Sequence, residues 1–236
     1  MADKEITIVT GSNKGIGKGI ALKLAEEGHN IMLFGRDADA LKKAEKEVKD
    51  KGAETIVFTG DVADTDFVNK AVKQIEEKYG KVDHLINNAG MGIFKNLIDA
   101  DLDDFKKQVD ANLYGIFNFS KAVLPGMIKK QTGSIINIVS LAGKNSFTGG
   151  TMYSATKHAA LGLTRSLMLE VRQYNIRVAA ICPGSVDTDF NFGSSMKPNR
   201  DKVLQVEDVA DSVLAILKLP ARALISEIDL RPTNPK

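Results

Sequence analysis

Residues 5–17 read EITIVTGSNKGIG, and this stretch decides the fold. Its first half is a short β-branched run, typical of a buried strand. Three glycines follow at the spacing Gly11-x-x-x-Gly15-x-Gly17, and a helical pattern then runs from residue 18 to 27. Glycines permit a tight turn and let a pyrophosphate approach the backbone at a helix N-terminus. The order strand, glycine turn, helix therefore predicts a phosphate-binding turn, although its spacing matches neither G-x-G-x-x-G nor the P-loop.

Beyond this turn, predicted strands and helices alternate to the end of the chain. Further strands are expected at 30–34, 55–59, 82–86, 135–139, 176–182 and 223–230. Helices are expected at about 39–51, 64–79, 102–130, 151–174 and 206–217. This alternation is typical of a parallel sheet with helices on both faces. A length of 236 residues favours one domain over residues 1–236.

Composition excludes several classes of protein. The net charge of +2, from 32 basic and 30 acidic residues, is too balanced to indicate nucleic acid or an anionic membrane as a partner. The apolar runs are too short to span a bilayer. The chain starts with charged residues that do not resemble a signal peptide, and the lone Cys182 cannot form an intramolecular disulfide. We therefore expect a cytoplasmic protein.

Polar and glycine-rich segments follow the predicted strands. In parallel α/β sheets, ligands bind outside the carboxyl ends of the strands. The segments found there are Thr10-Gly11, Gly35-Arg36, Asp61-Val62, Asn87 to Gly90, Ser140 and Pro183-Gly184. They predict an extended ligand site along one edge of the sheet.

The end of the second strand indicates the preferred cofactor. An acidic residue there would accept from a ribose 2′-hydroxyl and repel a 2′-phosphate. This chain has Arg36 there and Lys14 in the glycine turn, and both side chains can reach a 2′-phosphate. NADP(H) is therefore predicted over NAD(H). Asp37, one residue later, leaves the use of NAD(H) open.

Two further segments each allow two interpretations. Asp61 can accept from an adenine amino group with Val62 against the ring, or it can belong to the N-terminus of a helix near Asp64. The segment Asn87 to Gly90 can contact the cofactor or brace the sheet.

Tyr153 and Lys157 are four residues apart on a predicted helix and so share one face. A phenol has an unperturbed pKa of about 10. A nearby ammonium lowers that pKa and makes the phenol a usable proton donor to a forming alkoxide. Ser140, at a strand end, can hydrogen-bond the same carbonyl oxygen. By contrast, His29, His84 and His158 lie far apart in the sequence, and their spacing predicts no metal site.

Taken together, these segments resemble the classical short-chain dehydrogenase/reductase family. The resemblance covers nearly the whole chain and includes Asn112 in Asn112-Leu113-Tyr114-Gly115 and the segment Pro183-Gly184-x-x-x-Thr188. It implies a Rossmann-like, doubly wound, parallel seven-stranded sheet with helices on both faces. It also implies hydride transfer between nicotinamide and a ketone or secondary alcohol. The most similar-looking members are bacterial 3-oxoacyl-(acyl-carrier-protein) reductases.

The resemblance also implies roles for individual residues. Tyr153 would be the acid or base, Lys157 would lower its pKa and hold the nicotinamide ribose, and Ser140 would orient the carbonyl. Asn112, otherwise a polar residue inside a helix, would support a proton relay through Lys157. The expected cofactor-binding residues are Gly11, Ser12, Asn13, Lys14, Gly15, Ile16, Gly17, Arg36, Asp61, Val62, Asn88, Ala89, Gly90, Tyr153, Lys157, Pro183, Gly184, Val186 and Thr188.

The expected partners are a small carbonyl or alcohol substrate and a second copy of the chain. The residues after the last strand lack the Val-Asp-Gly-Gly end of many family tetramers. The helix of Tyr153 carries a stripe of small residues (Ala155, Ala159, Gly162 and Ser166). A homodimer or homotetramer is therefore expected, with close packing inside the subunit as the alternative reason for the stripe.

The loop at about 187–202 contains Phe190, Phe192 and Met196 and predicts a lid over a moderately apolar substrate. Acyl carrier protein is a further candidate partner, with Lys129, Lys130 and Arg172 as basic contacts or as ordinary solvated charges. The alternative function is a non-catalytic NADP(H)-binding sensor or scaffold of the same fold.

Overall fold

The computed structural model describes residues 4–190 and 202–234. Its strands are β1 (Ile6–Thr10), β2 (Asn30–Gly35), β3 (Thr55–Thr59), β4 (His84–Asn87), β5 (Gly133–Ile138), β6 (Ile176–Pro183) and β7 (Glu227–Leu230). Its α-helices are α1 (Gly15–Glu26), α2 (Ala38–Asp50), α3 (Thr65–Tyr79), α4 (Leu102–Val109), α5 (Gly115–Lys130), α6 (Thr151–Val171) and α7 (Val206–Leu217).

Within the described residues, the strands form one parallel sheet in the order β3-β2-β1-β4-β5-β6-β7. The order reverses between β1 and β4, and such a switch point opens a crevice at the carboxyl ends of the strands. We call this side of the sheet the carboxyl edge and the opposite side the amino edge. The predicted fold class is confirmed, and the sheet places the glycine turn beside the crevice.

Apolar layers cover the two faces of the sheet. On one face Val9 and Leu33 pack against α1, α2 and α7, through residues such as Leu24 and Val213. On the other face Ile8 and its neighbours pack against α3, α5 and α6. The inner strands, covered on both sides, are almost completely buried, which explains their nearly continuous apolar sequence, whereas the edge strands β3 and β7 are partly exposed. The prediction of one domain over 1–236 stays a prediction.

The predicted helix at 102–130 is wrong as a single element. It is divided into α4, a π-helical turn at Asp110–Tyr114 and α5. The π-turn contains Asn112, which is fully buried and bonded to the loop after β4. Helical periodicity does not reveal such a shift in register, because the apolar pattern continues on both sides of it.

Two smaller expectations also fail. The last strand begins at Glu227 rather than at 223, because Ala223 closes a turn by donating to Pro220 O. The stripe of small residues on α6 does not pack inside the subunit, since its four members are exposed and nothing lies within 4 Å of a Cβ built on Gly162. The predicted oligomer stays a prediction.

Candidate active site

The glycine turn brings the ends of β1 and β4 into close contact. Gly11 has a φ of +63°, and a Cβ built there would lie 2.9 Å from Ala89 Cα. A Cβ on Gly17 would lie 2.3 Å from Gly11 O and 2.4 Å from Asn88 Nδ2. Any larger residue would therefore push α1 away from the sheet. These glycines hold the first turn of α1 directly at the crevice.

The N-terminus of α1 is open to an anion. Lys14, the N-cap residue, makes no side-chain capping bond, and the first turn holds no acidic residue. By contrast, Asp37, Asp64 and Asp101 cap α2, α3 and α4 with their carboxylates. The free backbone N–H groups and the helix dipole at this end favour a phosphate group.

The segment after β4 braces the glycine turn. Asn88 Nδ2 donates to Thr10 O at 3.0 Å and to Gly11 O at 3.2 Å. The backbone N–H groups of Asn88 and Ala89 each donate to Thr10 Oγ1 at 3.0 Å. Ser12 acts similarly on the other side, because its buried hydroxyl bonds to the backbone of Phe34. Both residues thus set the shape of the turn.

The residues after β2 and β3 face one another at the surface. Arg36, with a side chain 70% exposed, lies 3.8 Å from an Asp61 carboxylate oxygen. Asp61 also accepts from Ala63 N at 2.9 Å, while its neighbour Val62 is buried. Asp37 accepts from Ala40 N at 3.0 Å as the cap of α2. The Asp37 carboxylate is therefore engaged, whereas the Arg36 guanidinium is held by a weak surface pair.

Ser140, Tyr153 and Lys157 meet on the other side of the crevice. Ser140 follows β5, and its side chain hydrogen-bonds the Tyr153 phenol. Lys157 follows Tyr153 by one turn of α6, and its Nζ lies 5.7 Å from the centre of the phenol ring. Lys157 Nζ donates to Ile138 O at 3.3 Å. The buried face of α6 thus places a phenol and an amine at the end of β5.

The expected net lowering of the Tyr153 pKa is not found in this structure. Burial raises the pKa of Tyr153 to about 12, against a smaller lowering by the hydrogen bond with Ser140. Burial also lowers the pKa of Lys157 to about 8. Both groups lose hydration on folding, and burial is the largest cause of each shift. At neutral pH the site therefore holds a protonated phenol next to a buried ammonium.

Asn112 anchors the loop that follows β4. Its Oδ1 accepts from Met91 N at 2.8 Å, and its Nδ2 donates to Met91 O at 2.9 Å and to Thr156 Oγ1 at 3.0 Å. A Cβ on Gly90 would lie 2.9 Å from Asn112 Oδ1 and 3.6 Å from Lys157 Nζ. Gly90 therefore separates Asn112 from Lys157, and its missing side chain leaves the space between them open.

One cleft of about 1050 Å³ joins these groups. Among the predicted site residues, those that line it are Gly11, Asn13, Lys14, Gly15, Ile16, Asn88, Ala89, Gly90, Ser140, Tyr153, Lys157, Pro183, Gly184, Val186 and Thr188. Ser12, Gly17 and Asn112 lie behind its wall and are buried. Arg36, Asp61 and Val62 are not part of this lining and lie beyond the ends of β2 and β3.

Aromatic rings around Tyr153 form a wall that the sequence analysis missed. The Phe94 ring lies 5.3 Å from that of Tyr153, 5.8 Å from Phe147 and 6.3 Å from Phe190. Cβ atoms on Gly92 and Gly150 would lie 2.5 Å from the Phe94 and Phe147 rings. In the sequence, Phe94 lies two residues after Gly92 and Phe147 three residues before Gly150, and this proximity was the signal for the aromatic wall. Of the predicted lid residues, Phe190 belongs to this wall, while Phe192 and Met196 lie outside the described residues.

The basic residues considered for an acidic carrier protein lie elsewhere. Lys129 and Lys130 end α5, just before β5, and Arg172 follows α6, just before β6. In a parallel sheet these positions belong to the amino edge. They cannot flank the cleft, and they are exposed, as solvated charges are.

A glycine turn at a sheet switch point, with Ser140 and the buried Tyr153 and Lys157 beside it, is typical of an α/β enzyme that binds a nucleotide. The sequence model of the short chain dehydrogenase family matches residues 5–198. The chain belongs to this family and is an oxidoreductase. An uncharacterized oxidoreductase of Staphylococcus aureus strain MRSA252 is 33% identical over 232 residues, covering 98% of each chain.

Solved structures extend the similarity to the whole fold. An alcohol dehydrogenase from the archaeon Thermococcus sibiricus, complexed with 5-hydroxy-NADP, has a TM-score of 0.90 and 30% identity over 98% of this chain and 97% of its own. An NAD+-bound xylitol dehydrogenase has a TM-score of 0.88 and 29% identity over 98% of this chain and 100% of its own. The family thus binds nicotinamide cofactors of both kinds. In residues 4–190 and 202–234, no helix has the length and apolar character needed to cross a membrane.

Proposed function

We propose that the chain transfers hydride between NADP(H) and an apolar ketone or secondary alcohol. The observation that carries this proposal is the meeting of Ser140, Tyr153 and Lys157 in the same cleft as the open N-terminus of α1. A sensor or scaffold would need only the second of these features. A buried ammonium and a buried phenol are costly to maintain and are typical of catalytic sites.

Each residue has a distinct role in this proposal. When bound, the cofactor supplies the hydride chemistry at its nicotinamide ring. The Tyr153 phenol donates a proton to the carbonyl oxygen, and Ser140 Oγ orients that oxygen. The Lys157 ammonium stabilises the phenolate left behind, and it also holds the nicotinamide ribose. Asn112 positions the loop of Met91, and the missing side chain of Gly90 leaves the space beside Lys157 open for a water relay.

The remaining contacts follow the predicted list. The first turn of α1 receives the pyrophosphate, with Asn13, Lys14 and Ile16 along its path. Asp61 and Val62 border the adenine, Ala89 borders the adenosine side, and Pro183, Gly184, Val186 and Thr188 border the nicotinamide. The position of these last residues in the cleft lining supports this assignment.

The preference for NADP(H) rests on the charges after β2. The exposed Arg36 can release the weak pair with Asp61 and bind a 2′-phosphate with two parallel hydrogen bonds. Asp37 would have to give up the cap of α2 to reach a ribose hydroxyl. Arg36→Asp should raise the KM for NADPH at least tenfold and leave the KM for NADH within about twofold. A wild type that prefers NADH would contradict this assignment.

The substrate class rests on the aromatic wall. Phe94 and Phe190 present ring surface to the Tyr153 phenol, and Phe147 packs against Phe94, so the carbonyl should carry an aromatic or aliphatic group. A 3-oxoacyl thioester with an aliphatic chain fits this description, whereas an open-chain sugar does not. A homodimer or homotetramer, an acyl carrier protein as the donor of such a substrate, and a cytoplasmic location remain predictions.

A panel of carbonyl substrates tests the function. NADPH oxidation is followed with aryl ketones, aliphatic ketones, 3-oxoacyl thioesters and ketoses, and Phe94→Ala should raise the KM of the apolar substrates selectively. If wild-type protein binds NADPH tightly but turns over no member of the panel, the sensor function is favoured instead. Light scattering that gives a monomer would contradict the predicted oligomer.

A further inference from the structure

A second group of ionisable side chains lies at the amino edge, across the sheet from the cleft. Glu5 precedes β1, His29 precedes β2 and His84 begins β4. These three strands are neighbours in the sheet, so their first residues come together although they are distant in sequence. The imidazole rings of the two histidines have centres 5.4 Å apart.

The distances between these side chains suit a metal ion. Glu5 Oε2 lies 3.2 Å from His29 Nε2 and 3.2 Å from His84 Nε2. The three ligand atoms all lie within 4.8 Å of one another. Two ligands of a tetrahedral Zn²⁺, each about 2.0–2.1 Å from the metal, are about 3.3 Å apart. Small side-chain rotations would therefore allow all three atoms to bind one ion.

The surroundings of the two histidines support binding. His29 Nδ1 lies 2.9 Å from the buried Thr7 Oγ1, and a hydrogen bond from the Nδ1–H to that oxygen leaves the Nε2 lone pair available. His84 is 6% exposed; within the described residues its Nδ1 has no hydrogen-bond partner, and its Nε2 faces the Glu5 carboxylate at 3.2 Å without good hydrogen-bond geometry. A buried polar group without such a partner is unfavourable, and a metal bond would remove this cost.

Two cations near this cluster are held by other groups. Of the nearby cations, Lys81 pairs with Asp83 at 3.0 Å, and the Arg177 guanidinium binds carbonyl groups at the end of α7.

We propose that Glu5, His29 and His84 form a binding site for one Zn²⁺ ion. Two imidazoles and one carboxylate leave a fourth position for water, and the exposed Glu5 side chain gives access from solvent. The site joins the first residues of three adjacent strands at the amino edge. Its role is therefore structural, and it is independent of the function proposed for the cleft.

Untagged full-length protein, freed of metal with a chelator and dialysed, provides the test. Calorimetric titration with ZnCl₂ should show one ion bound per chain. A concentration of free Zn²⁺ about 100 times the Kd should raise the Tm by about 5–10 °C. Co²⁺ in place of Zn²⁺ should give the visible absorption of tetrahedral coordination with nitrogen and oxygen ligands.

The Zn²⁺ affinities of three variants show whether the ion binds at this site. Glu5→Gln keeps the size of an exposed side chain and should weaken Zn²⁺ binding at least tenfold, and His84→Gln should do the same. His158→Gln removes an exposed histidine of α6 and should leave the affinity unchanged. The proposal is overturned if wild type shows no stoichiometric binding, or if Glu5→Gln, folded by circular dichroism, binds Zn²⁺ as wild type does.

Discussion

The two edges of the sheet bury ionisable groups in opposite ways. At the carboxyl edge, the Lys157 amine is almost completely buried, and in the described residues no carboxylate lies within ion-pair distance of it. At the amino edge, the buried His29 and His84 share the Glu5 carboxylate. A buried charge without a counter-ion lowers stability, whereas a paired group need not. The buried Lys157 amine should therefore lower the stability of the fold, whereas the Glu5 carboxylate partly offsets the burial of the two histidines.

The largest expected effect is at the carboxyl edge. Tyr153→Phe removes the proton donor and should lower kcat about 10³-fold, within the usual range for a general acid. Tyr174→Phe is the matched control, because Tyr174 lies just before β6 at the amino edge. It should leave kcat unchanged. Steady-state kinetics of ketone reduction measure both, and a Tyr153→Phe variant with more than a tenth of wild-type kcat would contradict the role of the phenol.

The second prediction is that removing the Lys157 amine raises the free energy of unfolding. Burial lowers the pKa of Lys157 from 10.5 to about 8, a difference of about 3 kcal/mol between the folded and unfolded states. Because the folded-state pKa is the lower one, this penalty is complete below pH 8 and disappears as the pH rises towards 10.5. Lys157→Met should therefore be inactive yet more stable than wild type by about 2–3 kcal/mol at pH 7.

Urea unfolding at pH 7 and pH 10 measures this difference. The advantage of Lys157→Met should shrink between the two values, since wild type loses the penalty as the amine deprotonates. Other titrating groups affect both proteins equally and cancel in the comparison. A variant that is less stable than wild type at pH 7 would show that Lys157 has a favourable partner and would remove the contrast between the two edges.

A smaller effect is expected at Gly90. In Gly90→Ala the new methyl group would lie 2.9 Å from Asn112 Oδ1 and close to Lys157 Nζ, so one of these groups must shift. We expect about a tenfold loss in kcat/KM, equal to about 1.4 kcal/mol. Gly162→Ala is the control, since its Cβ meets nothing within 4 Å and alanine is the better helix former. Unchanged kinetics for Gly90→Ala would argue against a relay through this space.

The smallest expected effect is a change in stability when Glu5, at the amino edge, is substituted in the metal-free protein. Glu5→Gln should lower the free energy of unfolding by less than about 1 kcal/mol, because the carboxylate is half exposed. In metal-free buffer, chemical denaturation at pH 7 measures this change. A loss of more than about 3 kcal/mol would contradict this, because it would mean that the contacts of Glu5 with the two histidines stabilise the fold as much as a buried ion pair.

Much of the fold was predictable because it depends on local patterns. The β-branched run before Gly11 and α7 are found where expected, and α1 begins at Gly15, three residues earlier than the expected start. Four of the six polar strand ends also line the cleft, whereas those after β2 and β3 lie beyond it. The π-turn at Asn112 was not predictable, because its cause is a contact with Met91, 21 residues earlier.

The chemistry of the site divides in the same way. The spacing of Tyr153 and Lys157 determined that they share a face of α6, but not which of their interactions dominates. Burial reversed the expected shift in the pKa of Tyr153, and burial is a property of the packed chain. The aromatic wall of Phe94, Phe147 and Phe190 likewise forms from three separate loops.

The sequence by itself determined the alternation of strands and helices and the glycine turn, because each depends on residues that are close along the chain. It also determined the family, through motifs spread over nearly the whole chain. Only the tertiary structure decided which distant side chains meet. Glu5, His29 and His84 are brought together by strand order, and Lys157 is separated from water by the packing of α6. The physical reason is that hydration and contact depend on distance in space, which local sequence patterns do not record.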